Sequence, residues 1–325
     1  MFDTTVHRDS VTDDHTISIQ RWRTELSVTV RGIPAPGVAA VLRDEVGRME
    51  TSISRFREDS ELSDVNRRSG EWVPVSWYFV SVLNAALVAA EETGGLVNPC
   101  LATAVDAAGY HHWRGGPIDS GPGPMRMPPR REPPPLLHAW RTIAIRDAGS
   151  HAQVRIPRGV ALDLGAVAKG WLADRVATLV VDRFGVDTVA DMGGDLRAIA
   201  TREPWLIDVS PMGSDHPTHE LSVWDAGIAT SSVGRRAWSN PDGTRAHHII
   251  DPRTGESAMT PWMSCSVVAA GAEGANAMST AALVLGSHAP RWLRARNTAA
   301  WLVADHAEHR TDWWPDLVTP AGLPA

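Results

Sequence analysis

The chain has 325 residues, 43% hydrophobic and 21% charged, with a formal net charge of -7. That is length enough for one large or two modest domains with an ample core, and the acidic balance argues against non-specific binding of nucleic acid or anionic membranes. No apolar run reaches the roughly 18 residues of a transmembrane helix. The opening stretch MFDTTVHRDSVTDDHT lacks a charged region followed by an apolar one, so no export signal is visible and a reducing, cytoplasmic setting is expected.

In chain order, residues 1–21 are polar and read as a flexible tail. LSVTV (26–30) alternates and is rich in β-formers, a strand; 36–49 carries Val38, Val41, Leu42 and Val46 at helical spacing. Residues 77–92 form a second helix, stopped by Gly94 and Gly95. Residues 111–135 are rich in Pro and Gly and read as a long loop. RTIAI and AQVRIP then suggest a hairpin around DAGSH. Short strands are expected near 188–191, 205–209, 227–230 and 264–268, and helices over 170–184 and 276–285. Elements alternate without a regular βαβ repeat, which favours α+β over a doubly wound sheet. Cys100 and Cys265 are too few for a disulfide framework and lack zinc-ligand company.

Lys169 is the only lysine in a chain with 31 Lys and Arg together. It sits in ALDLGAVAKGWLADRVATLV, where 160–164 reads as a strand, Gly165 as a joint, and Val167, Trp171, Leu172, Val176 and Leu179 as one face of a helix. Such a corner presents backbone N–H groups and a lysine at a helix N-terminus, where an anion is favoured, and Gly165 and Gly170 would let a ligand approach the main chain. No Ser/Thr follows the lysine, so this is not a Walker A loop. An ordinary strand–helix corner with a solvated lysine fits the stretch equally well.

Three other stretches have the same character. Met192-Gly193-Gly194-Asp195 is a tight turn after an apolar strand. Ala229-Thr230-Ser231-Ser232 ends a strand with hydroxyls able to bond phosphate or flavin edges, or simply to make a turn. HHIIDPRTG (247–255) brings imidazole, carboxylate and guanidinium together, suited to proton transfer and phosphate binding, or to turn initiation at Asp251-Pro252 with Arg253 in solvent.

Taken in order, SRFREDSELSDVN (54–66), GLVNPCLATAVDAAGY (95–110), LDLGAVAKGWLADRV (162–176), MGGDLRA (192–198), GIATSSVGRRAW (227–238), HHIIDPRTG and GANAMSTAALVLG (274–286) resemble the ApbE family of FAD:protein FMN transferases over roughly residues 22–286. The resemblance implies an α+β fold of ApbE-like (T-fold-like) type, with mixed, largely antiparallel sheets flanked by helices, over residues 22–300, and a C-terminal extension over 301–325. It implies a magnesium-dependent transferase that moves FMN from FAD to a Thr or Ser hydroxyl of an acceptor protein and releases AMP. The same site could serve a FAD pyrophosphatase or a non-catalytic FAD-binding protein.

The family's roles fall on Phe56, Asn66 and Tyr110 in the flavin and nucleotide pocket, and on Lys169 and Asp174 at the nucleotide. His248 would handle the proton, with Asp251 holding its turn or orienting it. Metal ligands map to the Ala166 carbonyl, Asn276 and Thr280; the last two, at i and i+4, share a helix face. Each has a plainer reading as well: core packing for Phe56 and Tyr110, a surface salt bridge for Asp174. The chain departs from the family's pattern where Asn276 replaces a metal-binding aspartate, where Asn98-Pro99-Cys100 replaces Asp-Pro-Thr, where Trp22-Arg23-Thr24 replaces Met-Gly-Thr, and where Ser232 replaces a glycine. Cys100 reads as a packed apolar side chain before it reads as a nucleophile.

Overall fold

A computed structural model describes residues 14–32, 36–110, 138–210, 219–239 and 243–315. Its centre is an antiparallel sheet of eight strands whose spatial order is their chain order: β1 (Asp14–Arg21), β2 (Thr24–Arg31), β3 (Thr188–Asp191), β4 (Asp195–Ile199), β5 (Asp225–Ser232), β6 (Ser264–Ala269), β7 (Ala299–Val303) and β8 (Glu308–Arg310). The α-helices of the described residues are α1 (Val38–Ile53), α2 (Glu61–Arg67), α3 (Trp77–Glu92), α4 (Ala102–Ala107), α5 (Gly165–Phe184), α6 (Ala272–Leu285) and α7 (Ala289–Arg294).

The period-2 geometry of a strand sorts neighbouring residues to opposite faces. Leu26, Val28 and Val30 pack with α1, α3 and α5. Ala229, Val267, Ala300 and Leu302 pack with α6. Val189, Leu196, Ile228, Val268, Trp301 and Val303 face the other way, onto a hairpin of Trp205–Val209 and His219–Val223. The result is three layers, helices on sheet on hairpin, the α+β architecture expected. Among the described residues no helix is long and apolar enough to cross a membrane.

Several elements differ from their sequence reading. Residues 14–21, expected within the tail, form β1 in full register with β2. As an edge strand β1 buries little, with only Ile17 and Ile19 against the core, so its apolar signal is thin. Residues 1–13 and the Pro/Gly-rich stretch 111–135 lie outside the described residues. At the other end β7 and β8 complete the sheet, so 301–310 belongs to the domain rather than to an extension. Residues 160–164 join no ladder; the Asn66 side chain holds them instead, accepting from Leu162 N at 2.7 Å and donating to Leu162 O at 2.9 Å. Helix α5 starts at Gly165, which places Lys169 inside the helix.

Candidate active site

A cavity of about 240 Å³ opens where the C-terminal end of α1, the first turns of α5, the end of β5 and one face of α6 converge. Phe56, Tyr110, Ala166, Lys169, Thr230, Ser231, His248, Asn276 and Thr280 all line it. Segments as far apart in the chain as 56 and 280 therefore meet, as the sequence reading required.

Helix packing sets the position of α6. A Cβ on Gly227 would lie 2.0 Å from the backbone at Gly271–Ala272, and one on Gly170 would lie 2.7 Å from Ala272 O. Gly170 thus serves helix contact rather than ligand approach. Asp174, one turn beyond, caps α6 from outside: its carboxylate accepts from Ala272 N at 2.8 Å and Glu273 N at 3.0 Å. It is absent from the cavity lining, and so is Asn66.

On the cavity-facing side of the capped helix, Asn276 and Thr280 line the cavity together with Ala166. Asn276 Oδ1 is buried and has no hydrogen-bond partner. Thr280 Oγ1 lies 2.9 Å from Ser231 Oγ, which also contacts Ser279 Oγ at 2.8 Å. An orphaned amide oxygen beside a hydroxyl cluster fits a hard cation that takes oxygen ligands. No group of three or more His, Cys, Asp or Glu suited to a metal occurs among the described residues.

Lys169 Nζ pairs with Asp195 Oδ2 at 2.9 Å, and Asp195 is 1% exposed. Burial pushes the Lys169 pKa down; Asp195 raises it, and Arg236 and then Arg235 lower it further. Arg235 is also lowered, first by burial and then by Arg236. Arg235 Nη1 donates to Gly193 O at 3.0 Å, tying the 192–195 turn to the cavity. Arg55, Lys169, Arg235 and Arg236 face Glu50, Asp163 and Asp195 in the lining, a basic excess suited to a diphosphate.

His248 Nδ1 lies 3.4 Å from Arg236 O, which can only accept. The ring proton therefore sits on Nδ1 and the lone pair on Nε2. Burial holds the His248 pKa well below the ordinary imidazole value, and Arg236 and His247 lower it further. The ring is neutral at pH 7 and able to accept a proton. His247 is structural: its Nε2 donates to Ala258 O at 3.0 Å and burial lowers its pKa to about 4.

Asp251 lies outside the lining. It accepts from Arg253 N at 2.9 Å and from Arg253 Nη2 at 2.8 Å, and Arg253 Nη2 also reaches Val284 O at 2.9 Å. It holds the turn after His248, the first of the two roles open to it, and pins that turn to the end of α6. Cys100 is buried with its thiol pushed up to about 12, consistent with packing.

The opposite wall is aromatic. Tyr110 stacks on Trp238 with ring centroids 5.5 Å apart and meets Phe56 edge-on at 6.1 Å. Arg55 braces it, donating to Asp163 at 2.9 Å and Asp106 at 2.7 Å, with its guanidinium 4.9 Å from the Phe56 ring centre. Tyr110 OH is buried without a hydrogen-bond partner. Sequence reasoning passed over Arg55, Asp195, Arg235 and Arg236. All four stand inside the quoted motifs, and the tandem arginine after the hydroxyl run was the available signal.

The ApbE family model matches residues 16–302. A FAD:protein FMN transferase of Treponema pallidum is 31% identical over 270 residues, 78% of this chain and 73% of the relative. The Vibrio cholerae enzyme of the same name is 27% identical over 273 residues, 79% of this chain and 78% of the relative. The crystal structure of an ApbE protein from Thermotoga maritima superposes with a TM-score of 0.75 at 26% identity, covering 92% of this chain and 97% of that one. The apo flavinyl transferase ApbE of Pseudomonas stutzeri shares the fold, with a TM-score of 0.76 at 18% identity over 94% of this chain and 97% of that one. With the matched segment spanning most of its length and its motifs gathered around one cavity, the chain belongs to the ApbE family.

Proposed function

We propose that this chain is a FAD:protein FMN transferase, moving the FMN half of FAD onto a Thr or Ser hydroxyl of an acceptor protein with release of AMP. One observation carries the reading: a neutral His248 shares a cavity with the cations Lys169, Arg235 and Arg236. In the reaction the acceptor oxygen bonds to the FMN phosphorus and the bond from that phosphorus to the AMP oxygen breaks. The AMP phosphate keeps the electron pair. The acceptor proton passes to Nε2 of His248.

The cationic side chains bind and orient the diphosphate, and Phe56 and Tyr110, the latter backed by Trp238, offer an aromatic wall to a ring of the substrate. Asn276 Oδ1, Thr280 Oγ1 and the Ala166 carbonyl would hold a magnesium ion. That ion would neutralise charge on the diphosphate.

The test mixes purified protein with FAD and an acceptor peptide, with and without magnesium, and follows AMP and flavin by chromatography and the peptide by mass. Magnesium-dependent AMP release with FMN-labelled peptide is expected. AMP and free FMN without labelled peptide would make the chain a FAD pyrophosphatase. Intact bound FAD under every condition would make it a flavin-binding protein, a reading that the uncharged Asn276 favours.

A further inference from the structure

The three oxygens assigned above to the metal, from Asn276, Thr280 and the Ala166 main chain, belong to residues of one cavity lining and are all neutral. Asn276 Oδ1 is buried and lacks any hydrogen-bond partner, which leaves an acceptor oxygen open to a cation but adds no negative charge to hold one. Asp195, a carboxylate in the same lining, is engaged by Lys169 at 2.9 Å. Arg235 and Arg236 line the same cavity as Lys169 and add positive charge to it, which also lowers the Lys169 pKa further. The other two carboxylates of the lining are also paired, Asp163 with Arg55 at 2.9 Å and Glu50 with Arg21 at 3.7 Å. A bare divalent cation entering this cavity would give up hydration and meet repulsion without gaining an unpaired anionic partner. A substrate diphosphate supplies the missing negative charge to the cation and to Lys169 together.

We propose that this chain takes up its divalent cation only together with the substrate's diphosphate, because Asn276 leaves the protein's own ligand set uncharged. Metal and FAD then bind as a coupled pair. The inference rests on the flavin-transferase reading. Linkage requires that FAD tighten the metal by the same factor as the metal tightens FAD.

The test has two arms that do not depend on turnover. Calorimetry measures FAD binding with and without magnesium in the absence of acceptor, with chromatography afterwards to show that FAD is intact. Electron paramagnetic resonance follows loss of the free aqueous Mn²⁺ signal with and without FAD. Both arms are expected to show coupling of about 10- to 100-fold, within the usual range for linked sites. Asn276→Asp should bind Mn²⁺ without FAD and show a smaller coupling factor. Thr280→Val should also reduce the coupling, and serves if the first variant does not fold.

Wild-type protein that binds Mn²⁺ equally well with and without FAD would overturn the proposal, as would FAD affinity indifferent to magnesium. Either result leaves the transferase reading standing. Failure to bind FAD under both conditions would overturn the transferase reading and the coupling with it.

Discussion

His248 is expected to act as the proton acceptor. His248→Ala should lower FMN transfer by about 10²- to 10⁴-fold while FAD still binds, checked by AMP release beside a FAD titration. Its burial also sets a pH signature. The imidazole pKa lies well below its ordinary value of 6.5, so the rate should stay level as pH falls through 6.5 and decline only further into acid. An inflection at the ordinary imidazole value would remove His248 from the role. Lys169 raises a different question, because an Arg-rich chain keeps a single ammonium here. Its compact head pairs with the buried Asp195 in a lining it shares with Arg235 and Arg236, where a planar fork needs more room. Lys169→Arg should weaken FAD binding or turnover; unchanged kinetics would mean that the lone lysine has no special part.

At the scale of elements, the start of α6 decides where Asn276 and Thr280 stand. Asp174 caps that start, so Asp174→Ala should cost about 1–2 kcal/mol in urea denaturation. A direct nucleotide contact would instead weaken FAD binding without loss of stability. Gly227→Ala drives a methyl into backbone at 2.0 Å, which no side-chain motion relieves. A loss of more than about 3 kcal/mol is expected, read as a large fall in thermal midpoint. Elements with strong local signals were legible in the sequence. α3 runs over the expected 77–92 because Ser76 accepts from Phe79 N at its start and Gly94, at φ +64, follows its end. β1 and β8 were not legible, since edge strands bury one side weakly and alternate little. The exact start of α5 was not legible for another reason: the helix face was read from Val167 on, whereas Gly165 and Ala166 carry almost no periodic signal, and the first turn is held by Asp163 accepting from Gly165 N at 2.8 Å.

Across the whole molecule, buried titratable groups tie stability to pH in opposing senses. His247 has a folded pKa of about 4 against 6.5 unfolded, so between those values only the unfolded chain binds the proton. Its contribution is therefore lost as pH falls from 6.5 towards 4, by about 3 kcal/mol in all. Asp191 is raised by burial from 3.8 to about 6, so its contribution is lost as pH rises across that window. His247→Gln should flatten the acid side of the wild-type stability curve, measured by denaturation from pH 4 to pH 7; an unchanged slope would mean that His247 is protonated in the folded state. The sequence by itself determined the α+β class, because alternation and helical spacing are local properties, and its short motifs carried the family resemblance, which implied antiparallel sheets and most of the residues that line the cavity. Tertiary structure alone separated Lys169, His248, Asn276 and Thr280, which line the cavity, from Asn66, Asp174 and Asp251, which hold its walls in place. Within a motif the two kinds of residue look alike, since a carboxylate that caps a helix and one that meets a ligand use the same oxygens. Which of them it does depends on the groups that face it, and those come from distant segments: Ala272 and Glu273 lie 98 and 99 residues beyond Asp174.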